Sequence, residues 1–532
     1  MNMFSLTRPA CTLAFVAALV APAMLCAQTQ PGTLTMTLSQ VKALDPQTQT
    51  DTATIFNQIN IYDSLYRYRG APATLAPWLA TGHTVSKDGT EVEFTLRDGV
   101  KFHDGRVMTA QDVVYSFQRA LALKRGVGAL FSAVLAPEGI TAPSPLTVKF
   151  KLKMPYAGFV SIVPTVAILN AQLVKEKEVG GDWGAAWIAA NDAGSGAYKL
   201  VAGSFIPGER VDLVKFDEHF YGWKDNPQAP RFVQTRGFTE QTTEVMSLLS
   251  GRLDVTGPFL SPESIARISS TPNFSVKFNG GARIGVIYLN NTKPPLNNVN
   301  FRRCLSYAFN YDSLINSVLS KGSAIRIKTP LPVNMWGQPK PEIGYEFNMA
   351  EAKKHCDLAK QEGAPIDREL SFGAITGFEY MSIIGQLLQA EARKLGVTIK
   401  VATNTWPNLV TAASKPETSP DLWFSFVNSP FPDPDGFVAQ MYESANHGSF
   451  KASSYYKNEK VDALLKKARE VQDQKSREPL YQEALKMIVA DAPSIFLYEP
   501  ADARGFSKRA SEGFRFTPAD QGTDLRWIKL AN

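Results

Sequence analysis

Four groups of residues in this chain are able to do acid–base, nucleophilic or redox chemistry. His103, Asp104 and Gly105, within RDGVKFHDGRVMTAQDVVYSF (97–117), set an imidazole beside a carboxylate in a charged stretch. Ser195 lies between Gly194 and Gly196, Asp433 and Asp435 flank Pro434, and Cys304 and Cys356 are the cysteines beyond the N-terminal region. A hydrolytic triad needs a nucleophile, a positioned imidazole and an acid that orients it. Ser195 is the one tempting serine, yet GSGAY lacks the strand–elbow–helix context of G-x-S-x-G. None of the 5 histidines sits in a suggestive setting. Metal ligation has little to work with: there is no C-x-x-C spacing and the histidines are scattered, so neither a metal nor another cofactor is expected.

The surrounding elements give these groups structural uses. Thr109 precedes an apolar-periodic run and Asp112 follows three residues on, a capping-box arrangement with a shorter acid than usual. Val113, Phe117 and Ala120 then share one helix face, and Asp104-Gly105 supplies the tight turn before it. His103 therefore reads as part of a strand–turn–helix scaffold. Val92, Phe94 and Leu96 alternate with polar residues, and Val148, Phe150 and Leu152 alternate with Lys149, Lys151 and Lys153, which predicts two half-buried strands. TEQTTEVMSLLSGRLDV reads as a helix closed by Gly251 and followed by a strand. From about residue 282 the alternation of strands and helices restarts: RIGVIYLNN, FRRCLSYAFNYDSLINSVLS, EAKKHCDLAKQEGAP, then YMSIIGQLLQAEARKLGVTIKVATNTW. Near the end, APSIFLYEPADARGF is an apolar strand returning. Helices alternating with strands across two regions predict two α/β lobes.

Charge and composition exclude other classes. The chain carries a net +6, but its longest basic runs are pairs such as Arg302-Arg303 and Lys353-Lys354. A nucleic-acid binder concentrates its cations on one face or tail, so no nucleic-acid partner is expected. Residues 1–27 read as an export signal: Arg8, an apolar run from Ala10 to Leu25, then small residues and cleavage after Ala27. The run is short for a membrane span, carries Pro22 and is followed by polar QTQPGT. Cys26 offers a lipoprotein reading that Leu25 before it fits poorly. Export to an oxidising compartment permits a disulfide, and Cys304 and Cys356 read equally as one bond or as two buried thiols.

The run PWLATGHTVSKDGTEVEFTLRDGVKFHDGRVMTAQDVVYSF resembles the signature of the peptide/nickel-type solute-binding proteins (extracellular family 5) of ATP-binding cassette transporters. LDPQTQTD, IYDSLYRY, GSGAYKL (with Ala197 where proline is usual), FDEHFYGW, LLSGRLDV, YLNNTKPPLNNVNFRRCLSYAFNYDSLI and PDPDGF agree with it in the same order. The resemblance implies a bilobed α/β periplasmic-binding-protein fold. Lobe one would span 28–280 and be completed by 494–532; lobe two would span 281–493. It further implies a monomer that closes over a small-molecule or short-peptide ligand by hinge motion and delivers it to an inner-membrane permease, without catalysis.

Ligand contacts are implied by position. Peptide-binding members hold the peptide amine with an Asp three residues before the first Asp of D-P-D, and a Trp lies three residues earlier. Here those positions are Pro430 and Val427. A local shift would bring Asp433 or Asn428 into the role, and Asp433 and Asp435 otherwise shape a turn. Trp406 matches a ligand-facing Trp, Asp51 and Thr52 fall in the first loop near the ligand, and Phe131 and Tyr498 match aromatic pocket positions. The class expected first is peptide or peptide-like. Opines, sugar conjugates, haem and metal chelates compete with it, because fold does not fix ligand. A secreted hydrolase, and a periplasmic chaperone or sensor partner, are the rival functions.

Overall fold

The structure, a computed structural model, describes residues 32–38, 41–48, 52–70, 73–258, 260–280, 283–319, 322–376, 378–429, 431–510, 514 and 524–531. The export signal over 1–27, Asp51 and Pro430 lie outside the described residues.

In chain order the strands are β1 (Thr33–Thr37), β2 (Tyr66–Arg69), β3 (Thr74–Pro77), β4 (Ala80–Val85), β5 (Glu91–Leu96), β6 (Leu135–Ser144), β7 (Thr147–Leu152), β8 (Tyr198–Leu200), β9 (Arg210–Lys215), β10 (Phe232–Arg236), β11 (Phe274–Gly280), β12 (Arg283–Leu289), β13 (Ala324–Arg326), β14 (Leu370–Ile375), β15 (Ile399–Asn404), β16 (Leu422–Asn428) and β17 (Ser494–Ser507). One sheet runs β1-β10-β9-β8, a second β4-β5-β7-β6, and a third β11-β17-β12-β16-β14-β15 with β13 on β17; β2 and β3 form a hairpin.

The second sheet follows from its alternation. Phe94 pairs with Val148 and Val92 with Phe150 across an antiparallel ladder, and these apolar side chains are buried. The helix Ala110–Leu123 covers them with Val113, Phe117 and Ala120. Its cap is the one its sequence predicts: the Thr109 N–H donates to Asp112 Oδ2 at 2.9 Å. A second apolar cluster, around the first sheet, runs from Leu34 to Val255 and adds Phe506 and Leu525 from the tail. The largest cluster spans Ile284 to Tyr498.

Three strands, β11, β12 and β17, link the first-sheet cluster to the largest one. β11 lies beside the second half of β17, Ala501–Ser507, and Val255 links Phe506 of that half to Met36 of the first sheet. β12 begins just after β11 and lies beside the first half of β17, Ser494–Tyr498. The exchange of pairing partners therefore falls inside one continuous strand, between Tyr498 and Ala501. Cys304 and Cys356 are bonded, with Cα atoms 5.2 Å apart. The bond joins the helix Val299–Ala308 to the helix Met349–Gln361, and it resolves the alternative the sequence left open.

Candidate functional site

In α/β sheets ligands gather outside the carboxyl ends of the parallel strands. β14, β15 and β16 are parallel and end at Ile375, Asn404 and Asn428. Arg283, the first residue of β12, is paired with Asn428. Tyr498 lies opposite Gly285 at the point where β17 changes partners. This edge of the third sheet is thus the edge at which β17 exchanges β12 for β11.

Gly285 makes room for the aromatic residues there. A Cβ at that position would lie 3.1 Å from both Phe424 and Tyr498. The Tyr498 ring stacks on Phe424 with centroids 6.3 Å apart and meets Phe426 edge-on at 6.0 Å. The Tyr498 hydroxyl is buried and has no hydrogen-bond partner among the described residues. Such a group is open to a partner that the described residues do not supply. Arg283 Nη2 donates to Asp502 Oδ1 at 2.6 Å, and its guanidinium lies 4.5 Å from the Phe426 ring centre. Burial pushes the Asp502 carboxyl up, with Arg283 and Arg504 pulling the other way. Burial also pushes the Tyr380 phenol up to about 12.

Trp406 begins the helix Trp406–Ala412, followed at once by Pro407, which suits a first turn. Trp406 is 39% exposed, with an aromatic platform behind it. Behind it are Phe450, edge-on at 5.1 Å, and the buried Trp423 at 6.3 Å. Trp423 is fixed by an N–H donated to Ser453 Oγ at 2.9 Å. Beside this platform Lys451 Nζ donates to the Asn428 carbonyl at 2.9 Å and to Gln440 Oε1 at 2.8 Å. Burial lowers its ammonium to about 8.

Trp406, Asn428 and Tyr498, nominated from sequence, thus belong to one sheet edge. Thr52 opens the helix Thr52–Ile61. Phe131 lies elsewhere: it is 1% exposed in the core of the second sheet, edge-on to Phe117 at 5.4 Å and Phe159 at 6.0 Å. Its ring packs against other rings, as an aromatic residue on a buried helix face does. Asp433 is 2% exposed and both its oxygens accept from Arg477. Val427 is fully buried in the large core. The two loop groups are also structural. His103 is held between Asp192 Oδ2, 2.7 Å from Nδ1, and the Gly196 carbonyl, 2.9 Å from Nε2. Ser195 is fully buried and donates to Asp63 Oδ2 at 2.9 Å. A Cβ on Gly194 would lie 1.9 Å from the Ile61 carbonyl, so this turn is glycine because backbone meets backbone.

Arg283, Tyr380, Asp502 and Lys451 were not singled out from sequence. Only Arg283 carried a usable signal, a charge at the start of an otherwise apolar strand.

Residues 74–449 match the bacterial extracellular solute-binding proteins, family 5, over that family's middle segment. The chain belongs to this family. The probable D,D-dipeptide-binding periplasmic protein of Escherichia coli is 29% identical over 488 residues, 90% of this chain and 91% of that one. Heme-binding protein A of Haemophilus influenzae is 24% identical over 458 residues, 82% of this chain and 81% of that one. Among solved structures, the periplasmic binding protein DppA of Helicobacter pylori in complex with the peptide STSA aligns at a TM-score of 0.76 and 23% identity, over 94% of this chain and 98% of that one. HbpA2 of Haemophilus parasuis aligns at 0.80 and 22%, over 94% and 100%. The fold is the bilobed α/β fold of periplasmic binding proteins. Among the described residues no helix is long and apolar enough to cross a membrane.

Proposed function

We propose that this family 5 protein is the receptor of an ATP-binding cassette importer. After export through the signal at 1–27 it works in the periplasm as a monomer. It captures a peptide or peptide-like solute between its lobes and hands it to an inner-membrane permease, making and breaking no bond. The observation that carries this reading is the orphaned Tyr498 hydroxyl at the sheet edge. Leaving a buried hydroxyl unpaired costs about 1–3 kcal/mol, which a polar group on a solute offsets. Trp406, Asn428 and Tyr498 are the proposed contacts, and Asp51 and Thr52 are proposed with them from the family resemblance.

Contacts between the lobes supply the closed state. Tyr156 Oη, from the second-sheet core, donates to Asp435 Oδ2 at 3.2 Å, and the Ala157 N–H donates to the Arg469 carbonyl at 2.7 Å. Phe431, beside Asp433, is buried in the second-sheet core. Breaking these contacts leaves β11–β12 and the middle of β17 as the links that flex. Against catalysis, Ser195 donates to a carboxylate rather than to an imidazole.

One observation bears on the ligand class. Asp433 is committed to Arg477, so of the two residues nominated for a peptide amine only Asn428 is left to hold it; a non-peptide solute is the second reading. The test is thermal shift on the mature chain after unfolding and refolding to strip bound solute. One panel holds free di- to pentapeptides; the other holds opines, amino-sugar conjugates and aromatic acids. A ligand stabilises by mass action. A shift with free peptides supports the first reading, a shift confined to the second panel supports the other, and turnover of ester or peptide substrates overturns both.

A further inference from the structure

We infer that Lys451, with Asn428, forms a subsite for a carboxylate of the captured solute. The inference deepens the receptor reading and rests on it.

An ammonium has three donors. At Lys451 two of them go to neutral oxygens, the Asn428 carbonyl and Gln440 Oε1. Among the described residues no carboxylate pairs with it, and other acids of the chain are already engaged. Asp502 is held by Arg283, Asp433 by Arg477, Asp435 and Glu443 by Arg469, and Asp462 accepts from Ser444. A desolvated cation without a counter-charge is costly, and a protein that keeps one in a ligand-facing place uses it. Burial, with no opposing acid, is what lowers its ammonium to about 8. It remains mostly protonated at neutral pH, so it presents a charge that only an incoming anion compensates.

The ammonium is also held ready. Tyr288 Oη donates to the Lys451 carbonyl at 2.7 Å, and the Lys451 N–H donates to Ser449 Oγ at 3.3 Å. Those bonds fix the backbone from which the side chain reaches the end of β16. Asn428 is half-buried there, and its main-chain carbonyl is what holds the ammonium at the end of β16. Phe450, the chain neighbour of Lys451, meets Trp406 edge-on. A solute with an apolar body and an acid at one end fits this arrangement: the body lies on Trp406 and the acid reaches Lys451. The Arg283 guanidinium is a weaker candidate for the same task, because Asp502 already neutralises it.

The test uses pairs of probes that differ only in the acid. Alanyl-alanine is compared with its C-terminal amide and with its N-acetyl derivative, benzoate with benzamide, and N-(1-carboxyethyl) amino acids with their amides. Each is titrated into the stripped mature chain and into Lys451→Gln and Lys451→Arg. The expected result is that acids bind and their amides bind about ten- to hundred-fold more weakly. Lys451→Gln abolishes that preference and Lys451→Arg keeps most of it. Amides binding as tightly as acids, or an acid preference that survives Lys451→Gln, would overturn the subsite while leaving the receptor reading intact. Binding only by non-peptide acids supports the subsite and removes the peptide reading. No binding by any acid overturns the subsite too. The acid–amide comparison on the unaltered chain stands even where a variant folds poorly.

Discussion

Asp433 and Arg477 form a two-pronged pair: Oδ2 accepts from Nη1 at 2.8 Å and Oδ1 from Nη2 at 2.9 Å, both side chains being buried. This geometry gives the late acidic loop a structural task. Removing one partner of such a pair strands the other charge, at a cost of about 3–5 kcal/mol. Asp433→Asn is therefore expected to lower the urea midpoint sharply while leaving the affinity of the folded fraction unchanged. A large affinity loss at unchanged stability would return Asp433 to the ligand site.

Asp435 sits beside that pair and behaves differently. Burial pushes its carboxyl up to about 6; Arg469 opposes this and Asp433 adds to it. Its folded value lies above the ordinary carboxylate value, so the stability it contributes is fully present below pH 3.8 and is lost as pH rises through about 6. Urea melts between pH 4 and pH 8 are expected to carry this falling limb in the native chain and to lose it in Asp435→Asn. Identical pH profiles for the two chains would contradict the assignment.

For Tyr498 the two readouts separate. Its hydroxyl has no partner to lose among the described residues. Tyr498→Phe is expected to leave stability unchanged or raise it by about 1 kcal/mol. The same change is expected to weaken solute binding about five-fold, because the solute then lacks its partner. Thermal melts with and without bound solute measure both. Destabilisation of the solute-free chain would show that the hydroxyl is satisfied within the protein.

The Cys304–Cys356 bond closes a loop with a sequence separation of 52. Loop-closure entropy gives it about 4 kcal/mol of stabilisation. Reduction, or the double change Cys304→Ala and Cys356→Ala, is expected to lower the melting temperature without altering affinity, since both cysteines are buried in the largest apolar cluster. An affinity loss in the reduced chain would tie the bond to the ligand site.

Local rules were legible in the sequence and distant pairings were not. The Thr109–Asp112 cap and the alternation of β5 and β7 depend on neighbours in the chain. Asp433 finds its partner 44 positions away, and Lys451 reaches Asn428 over 23. Nothing in GSFKASS sets that lysine apart from a surface one. Phe131 shows the converse limit: an aromatic residue on a helix reads alike whether it faces a pocket or a core, and only the rings around it decide. The cysteines stayed open for the same reason, because their bond depends on how two helices pack.

Receptor function requires reversible capture of a solute by this chain. Isothermal titration of the stripped mature chain with the paired acids and amides measures it most directly. The prediction is binding of one acid per chain with a negative heat-capacity change, and recovery of that solute unchanged on unfolding. Sustained heat from turnover, or no acid or amide binding at all, would contradict it.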